Sequence, residues 1–286
     1  LDQKLLISQI ETALNHILDN SNLVDELKES CKYSVLNGGK RIRPRIAAAT
    51  LLDLSKSQAK LESFTALFCA LELLHCSSLI HDDLPCMDND DFRRGKPTSH
   101  KVYGQAHALL TGDVLVAIAF SAINNCEQIS EKQKLILNKE LSQTYIELCN
   151  GQLWDLNEEK RKDNLELIHL KKTGRLFSAS FVFGAAVICE DNKTLQLLSQ
   201  LGQECGLFFQ ILDDYLDVVG DPTERGRPSG SDEKNNRLTD VSTQTLLNAK
   251  QRVDNKLIAI EQNISSELTN IRMILAELES KAKLKK

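Results

Sequence analysis

Several kinds of segment are scarce or missing from this 286-residue chain. No apolar run approaches the ~18 residues a membrane span needs; the longest, 114–120 and 180–189, fall well short. None of the eight cysteines forms a CxxC pair, which argues against a zinc or dithiol site. Most lie among apolar neighbours and read as small buried hydrophobes in a reducing compartment. No Gly-x4-Gly-Lys-Ser/Thr stretch occurs, so this is not a P-loop protein. There is no 30–50-residue repeat, no strand-like alternation and no Pro/Gly/Ser-rich linker, so residues 1–286 are expected to form one domain. Positive charge is also in short supply. A net charge of −5 and a pI near 5.8 set aside a general nucleic-acid binder. No signal peptide is visible, and the expected location is the cytoplasm.

What the chain does have is acid in two places. Asp82, Asp83, Asp88, Asp90 and Asp91 fall within ten residues, and Arg93 and Arg94 follow at once. The segment before them is apolar (Leu71, Leu73, Leu74, Leu79, Ile80), as in a core helix. Pro85 ends that helix, so Asp88 comes from the loop beyond it. Carboxylates this crowded repel unless cations sit between them, which points to a hard divalent cation held by oxygen ligands. A second cluster, Asp213-Asp214-x2-Asp217, follows the apolar stretch 206–209. Asp213 and Asp217 are four apart and share a helix face, and Gln210 lies one turn before Asp214. Two such helices suggest two walls of one metal site.

Lys40, Arg41, Arg43 and Arg45 put four cations in six residues beside the turn Asn37-Gly38-Gly39. By composition this is either a solvated basic loop or a diphosphate clamp, in which Arg offers a fork and Lys a point charge. With Lys172-Thr173-Gly174 and Gln210, these motifs resemble the short-chain trans-prenyl diphosphate synthases, the farnesyl/geranylgeranyl diphosphate synthase family. The match runs over roughly residues 30–240, with all motifs in the family's order. The resemblance implies an all-α helical bundle around a deep cavity, a homodimer, and Mg²⁺ (Mn²⁺ as its substitute) held by Asp82, Asp83, Asp88, Asp213, Asp214 and Asp217. It places Lys40, Arg43, His75 and Arg94 at the isopentenyl diphosphate. Arg93, Lys172, Thr173 and Gln210 fall to the allylic diphosphate. In the long polar loop 223–239 the family's two lysines are replaced by Arg227 and Arg237, and Asp240-Val241 stands where a Tyr-Pro pair is usual.

Helical periodicity predicts helices near 1–20, 23–36, 47–54, 61–80, 107–124, 132–151, 177–186, through 217, 243–261 and 266–281. The stretches 95–98 and 158–163 read as a loop and a solvated turn, and 171–174 as the start of the helix that follows. His81, Trp154 and Asp155 are given no chemistry. The implied reaction joins isopentenyl diphosphate to an allylic diphosphate with loss of pyrophosphate. Product length is open between C15 and C20. Ser77, five residues before Asp82, is small where farnesyl-producing relatives commonly carry an aromatic, while Leu74 or a partner subunit could supply another floor. A class I terpene cyclase would want a different second metal motif and no basic site at Lys40/Arg43. A non-catalytic subunit of the same fold would usually lose an acidic motif, and both are intact here, though the departures at Arg227, Arg237 and Asp240 keep that reading open; a metal-storing bundle leaves Arg93-Arg94 and Lys40-Arg43 unexplained.

Overall fold

The computed structural model describes residues 2–55, 57–219, 243–264 and 267–280. It is all-α, as expected. The helices are α1 (Gln3–Asp19), α2 (Asp25–Val35), α3 (Ile42–Ser55), α4 (Gln58–Asp82), α5 (Ser99–Tyr103), α6 (Gln105–Asn124), α7 (Glu131–Asp155), α8 (Glu158–Asp163), α9 (Leu165–His169), α10 (Arg175–Ala186), α11 (Asn192–Val219), α12 (Thr243–Ile264) and α13 (Thr269–Ser280). A π-helical turn, Leu170–Gly174, joins α9 to α10 without a break.

Local chemistry sets the ends. Asp2 caps α1 by accepting from the Lys4 and Leu5 amides at 3.0 and 3.1 Å. Ser130 and Gln133 form a reciprocal capping box at α7. α1 buries Leu6, Ile10, Leu14 and Leu18, one residue every four, so it lies on the core along a single stripe. α4 is different. Leu67, Phe68, Leu71, Leu73, Leu74 and Cys76 are all buried, and they point around the whole helix. It is therefore a central element, with α1, α3 and α6 packed on it. α10 is the second hub, against α3, α7 and α11.

Glycines let these hubs close up. A Cβ at Gly206 on α11 would sit 2.5 Å from the Gly174 Cα, and one at Gly184 on α10 would sit 2.2 Å from the Ala47 carbonyl oxygen. The C-terminal helix is tied down by polar groups. Asp53, 1% exposed, accepts from the Asn270 and Ile271 amides at the start of α13, each at 3.0 Å. Farther along α13, Glu277 pairs with the buried Arg45.

Four expectations need correction. Residues 95–98 are no plain loop: Phe92↔Pro97 and Arg93↔Lys96 pair as a two-stranded antiparallel ribbon, β1 (Phe92–Arg93) and β2 (Lys96–Pro97). Its turn is made by Arg94 and Gly95, both at positive φ. Residues 158–163 form the short helix α8, capped by Asn157. Residues 171–174 do not start a helix but lie inside a continuous helical run. And two helices, Leu61–Asp82 and Gln105–Asn124, are long and apolar enough to cross a membrane, although no uninterrupted apolar run is. The first is 72% buried within the fold, as a core helix is; the second is 39% buried and leaves Leu109 and Leu110 exposed.

The Gly206 contact is testable. Gly206→Ala places a methyl against backbone, which cannot rotate away, so α11 must shift from the π-turn. The expected loss is about 1–3 kcal/mol of unfolding free energy, read from urea titration, with Gln203→Ala on the same helix as a control.

Candidate active site

α4 carries the site along its C-terminal half. Glu72 and His75 are separated by one turn, and Asp82 follows His75 by two turns. Three arginines gather around the first of these. Arg41 donates to Glu72 at 2.8 Å, to Glu11 at 2.7 Å and to the Val35 carbonyl at 2.6 Å. Arg94 reaches Glu72 at 3.7 Å and also donates to the Gly38 carbonyl. Arg43 is buried, with its Nε unpartnered and its guanidinium 5.6 Å from the centre of the Phe177 ring. Burial pulls Arg43 down to about 10, Glu72 opposing and Arg94 adding to the effect, so it remains a cation at neutral pH. Of the two readings of 40–45, the solvated loop does not fit Arg41, Arg43 and Arg45, which are buried in and before the first turn of α3; Lys40 alone is exposed. Its backbone is held by Arg45, which donates to the Lys40 carbonyl at 3.2 Å.

His75 lies within this cluster, half-buried. Its pKa falls well below the ordinary imidazole value, through burial first and then through Arg43, Arg94, Arg93 and Arg41. A neutral imidazole among cations keeps a hydrogen-bond donor there without adding charge.

The acidic half is built from the end of α4 and the loop after it. The Asp88 amide donates to the Asp82 carbonyl at 2.8 Å, folding the loop back on the helix end. Asp82 is half-buried and its carboxyl is pushed up to about 6, by burial most of all; Lys172 lowers it, Asp88 raises it, Arg93 lowers it and Asp83 raises it. Asp83 is buried and gripped by Arg93, which donates through Nε at 3.0 Å and also reaches Asp90 at 3.0 Å. A cleft of about 370 Å³, open to solvent, lies beside this pair, between α2, α4 and the ribbon.

The π-turn connects the two acidic motifs. A Cβ at Gly151 would stand 2.8 Å from the Lys172 Cγ, so α7 presses directly on the turn. Lys172 donates to Asp155 at 2.6 Å and faces Asp82 electrostatically. Thr173 donates to the Gln210 Oε1 at 2.9 Å, and Gln210 donates onward to Asp214 at 2.8 Å. The chain Asp82, Lys172, Thr173, Gln210, Asp214 therefore runs from one wall to the other. Phe177 does the same for the basic cluster, stacking 5.2 Å from Phe209 beside Gln210. Asp214 is buried and Asp213 exposed. The Asp217 side chain, and Arg227, Arg237 and Asp240 entirely, lie outside the described residues. Ser77 and Leu74 are fully buried, and the Ser77 hydroxyl has no hydrogen-bond partner.

Among the described residues, no three His, Cys, Asp or Glu side chains stand close enough to hold a metal by themselves. The donor set nonetheless fits a hard cation. It is all oxygen, and burial most of all, with Asp88 and Asp83 adding to it against Lys172 and Arg93, raises the Asp82 carboxyl, which a bound cation would offset. Magnesium characteristically takes one or two carboxylates and fills its shell with phosphate oxygens and water.

Three participants escaped sequence reading. Glu72 sits in an apolar helix, and a buried acid there, one turn from His75, is a signal that could have been used. Asp155 leaves no local mark, because its partner, Lys172, is seventeen residues away, and the π-turn that carries Lys172 is set by the packing of α7 and α11 on it.

The polyprenyl synthetase family model matches residues 24–278. The chain belongs to that family. It is 38% identical over 252 residues to the farnesyl diphosphate synthase of Bacillus subtilis, covering 86% of this chain and 84% of that protein. It is also 38% identical over 239 residues to the chloroplastic geranylgeranyl pyrophosphate synthase of Capsicum annuum, covering 80% and 64%. Among solved structures, the Helicobacter pylori geranyltransferase complexed with magnesium and isoprenyl diphosphate superposes with a TM-score of 0.80 at 29% identity, over 97% of each chain. The activity of this family member is that of a prenyltransferase.

The pKa direction at His75 gives a pH test. Unfolded, His75 takes up a proton near pH 6.5; folded, it does not until well below that. Native stability is therefore lost as pH falls below about 6.5. In NMR titration of the metal-free protein, the His75 ring signals should stay flat from pH 8 to 6, and His75→Gln should soften the acid limb of the stability profile.

Proposed function

We propose that this prenyltransferase condenses isopentenyl diphosphate with dimethylallyl or geranyl diphosphate to give farnesyl diphosphate, releasing pyrophosphate. One observation carries the reading: a guanidinium cluster from other segments gathers at Glu72 and His75 on α4, and an acidic cluster begins at Asp82, two turns beyond His75. The first suits the diphosphate that is kept, the second the diphosphate that leaves. A terpene cyclase would have no use for the first.

Lys40, Arg43, His75 and Arg94 would hold the isopentenyl diphosphate, Arg43 and Arg94 with forks and Lys40 from the exposed rim. Arg93, Lys172 and Thr173 would face the allylic diphosphate, with Gln210 fixing Thr173. Asp82, Asp83, Asp88, Asp213, Asp214 and Asp217 would hold Mg²⁺, or Mn²⁺ in its place, with Asp83 reaching it only by sharing its carboxylate with Arg93. The bound cations would neutralise charge on the departing pyrophosphate, as Lewis acids. The allylic C–O bond breaks, the isopentenyl double bond forms the new C–C bond, and the departed pyrophosphate accepts the proton then lost. Lys172, oriented by Asp155, adds fixed positive charge where the anion develops. Arg227 and Arg237 would bring two more cations from the loop after α11.

C15 is favoured by relatives of similar length such as the Bacillus enzyme. A second reading, C20, rests on Ser77, whose small side chain would let a growing chain pass where a bulky aromatic would stop it. A homodimer formed through α6 would cover Leu109 and Leu110.

With Mg²⁺, isopentenyl diphosphate and geranyl diphosphate, the expected product is farnesyl diphosphate, identified by chromatography of the dephosphorylated alcohols. Pyrophosphate release should need both substrates and stop on chelation. Lys172→Ala should cost about 10²–10³ in kcat, the scale of one lost charge-stabilising donor, and Asp82→Ala and Asp213→Ala at least as much. Pyrophosphate release without isopentenyl diphosphate would defeat the condensation reading. If geranylgeraniol appears instead, Ser77→Phe should shorten it to farnesol.

A further inference from the structure

Glu72 is a buried carboxylate, 1% exposed, that belongs to neither acidic motif. Arg41 and Arg94 both point at its Oε1, at 2.8 and 3.7 Å. Arg43 and His75 are close enough for their charges to be felt in the same cluster. Its second oxygen, Oε2, is buried with no hydrogen-bond partner. Each of the three Arg41 nitrogens already donates, to Glu11, Glu72 and the Val35 carbonyl, and its side chain is fully buried, so it does not face a substrate. Arg94 and Arg43 keep donor capacity for one.

The backbone supports the same assignment. Arg41 and Arg94 both have positive φ, +48° and +55°, which an L-residue adopts only where its surroundings compel it. The two guanidiniums thus come from strained turns on different segments and meet at one carboxylate. Gly39, beside Lys40, passes so close to Arg94 that a Cβ there would lie 2.9 Å from its Cζ. Three arginines packed this closely would repel and splay if nothing held them.

We propose that Glu72 is a positioning residue for the basic half of the site. Through Arg41 it fixes the turn that leads into Arg43, and it aims Arg94, so that the guanidiniums stand ready before the diphosphate arrives. This rests on the reading of that half as the isopentenyl diphosphate site. Glu72 itself touches no substrate.

The sign of the effect separates positioning from simple charge. Glu72→Gln keeps the shape and removes one negative charge from behind an anion site. If Glu72 acted only through its charge, the variant would bind isopentenyl diphosphate more tightly. If it positions the arginines, the KM for isopentenyl diphosphate rises about tenfold, while the KM for geranyl diphosphate moves less than twofold. Tighter binding, or equal changes in both KM values with a lowered melting temperature, would overturn the proposal. Glu11→Gln loosens Arg41 from its half-buried side and should shift the same KM about threefold in the same direction; no shift counts against the proposal even if the Glu72 variant does not fold. Failure of the wild-type protein to use isopentenyl diphosphate at all would instead defeat the functional reading on which this rests.

Discussion

Charge of one sign can be concentrated inside a fold only if counter-charges are built in or a place is left for them to arrive. Both solutions occur along α4. At Glu72 the counter-charge is internal: one carboxylate answers Arg41 and Arg94, and Arg43 is left with an open nitrogen. At Asp82 it is only partial. Burial raises the Asp82 carboxyl to about 6, and Lys172 and Arg93, engaged also with Asp155 and with Asp83 and Asp90, offset this only in part. The fold tolerates that deficit at the end of a helix, beside a solvent-facing loop. It would not tolerate it two to three turns deeper, among Leu71, Leu73 and Leu74, where nothing could hydrate it.

The rest of the architecture serves to keep the charged groups at fixed separations. The Gly206–Gly174 contact brings α11 to the π-turn, and Gly151 brings α7 to it from another direction. A π-turn inserts one extra residue into the helical ladder, which rotates the side chains on one side of it relative to those on the other. Here Lys172 reaches Asp155 and Thr173 reaches Gln210 from adjacent positions. Short side chains at the crossing points and long polar ones between them are two parts of one arrangement: backbone proximity shortens the reach that Lys172 and Thr173 must cover.

The helical class, the order of the motifs and most helix bounds could be read directly from the sequence, because apolar spacing and the Gly, Pro and Asp signals are local. The all-α reading and the family resemblance are both borne out. Several of the things not legible share a cause. Composition alone left 40–45 open to reading as a solvated basic loop because their counter-charges, Glu11, Glu72 and Glu277, come from α1, α4 and α13. Asp155 looks idle because Lys172 is seventeen residues away. The membrane-length helices were missed because single polar residues, such as Glu72 in α4 and Asp113 in α6, interrupt the runs; one is paired inside the fold, and the other lies 3.5 Å from His81. In each case the missing information is tertiary pairing, which no window of sequence contains.

Helix α6 shows how far this reasoning extends. Its apolar composition exceeds what one chain buries, since Leu109 and Leu110 remain exposed on a helix whose opposite side packs tightly on α4. Gly112 permits that packing: a Cβ there would lie 2.1 Å from the His81 Nε2. His81 precedes Asp82, and its ring lies 3.1 Å from the Leu109 carbonyl. The acidic end of α4 and the exposed leucines of α6 are therefore attached to the same few residues. A surface laid over those leucines would therefore also brace the helix end from which Asp82 projects.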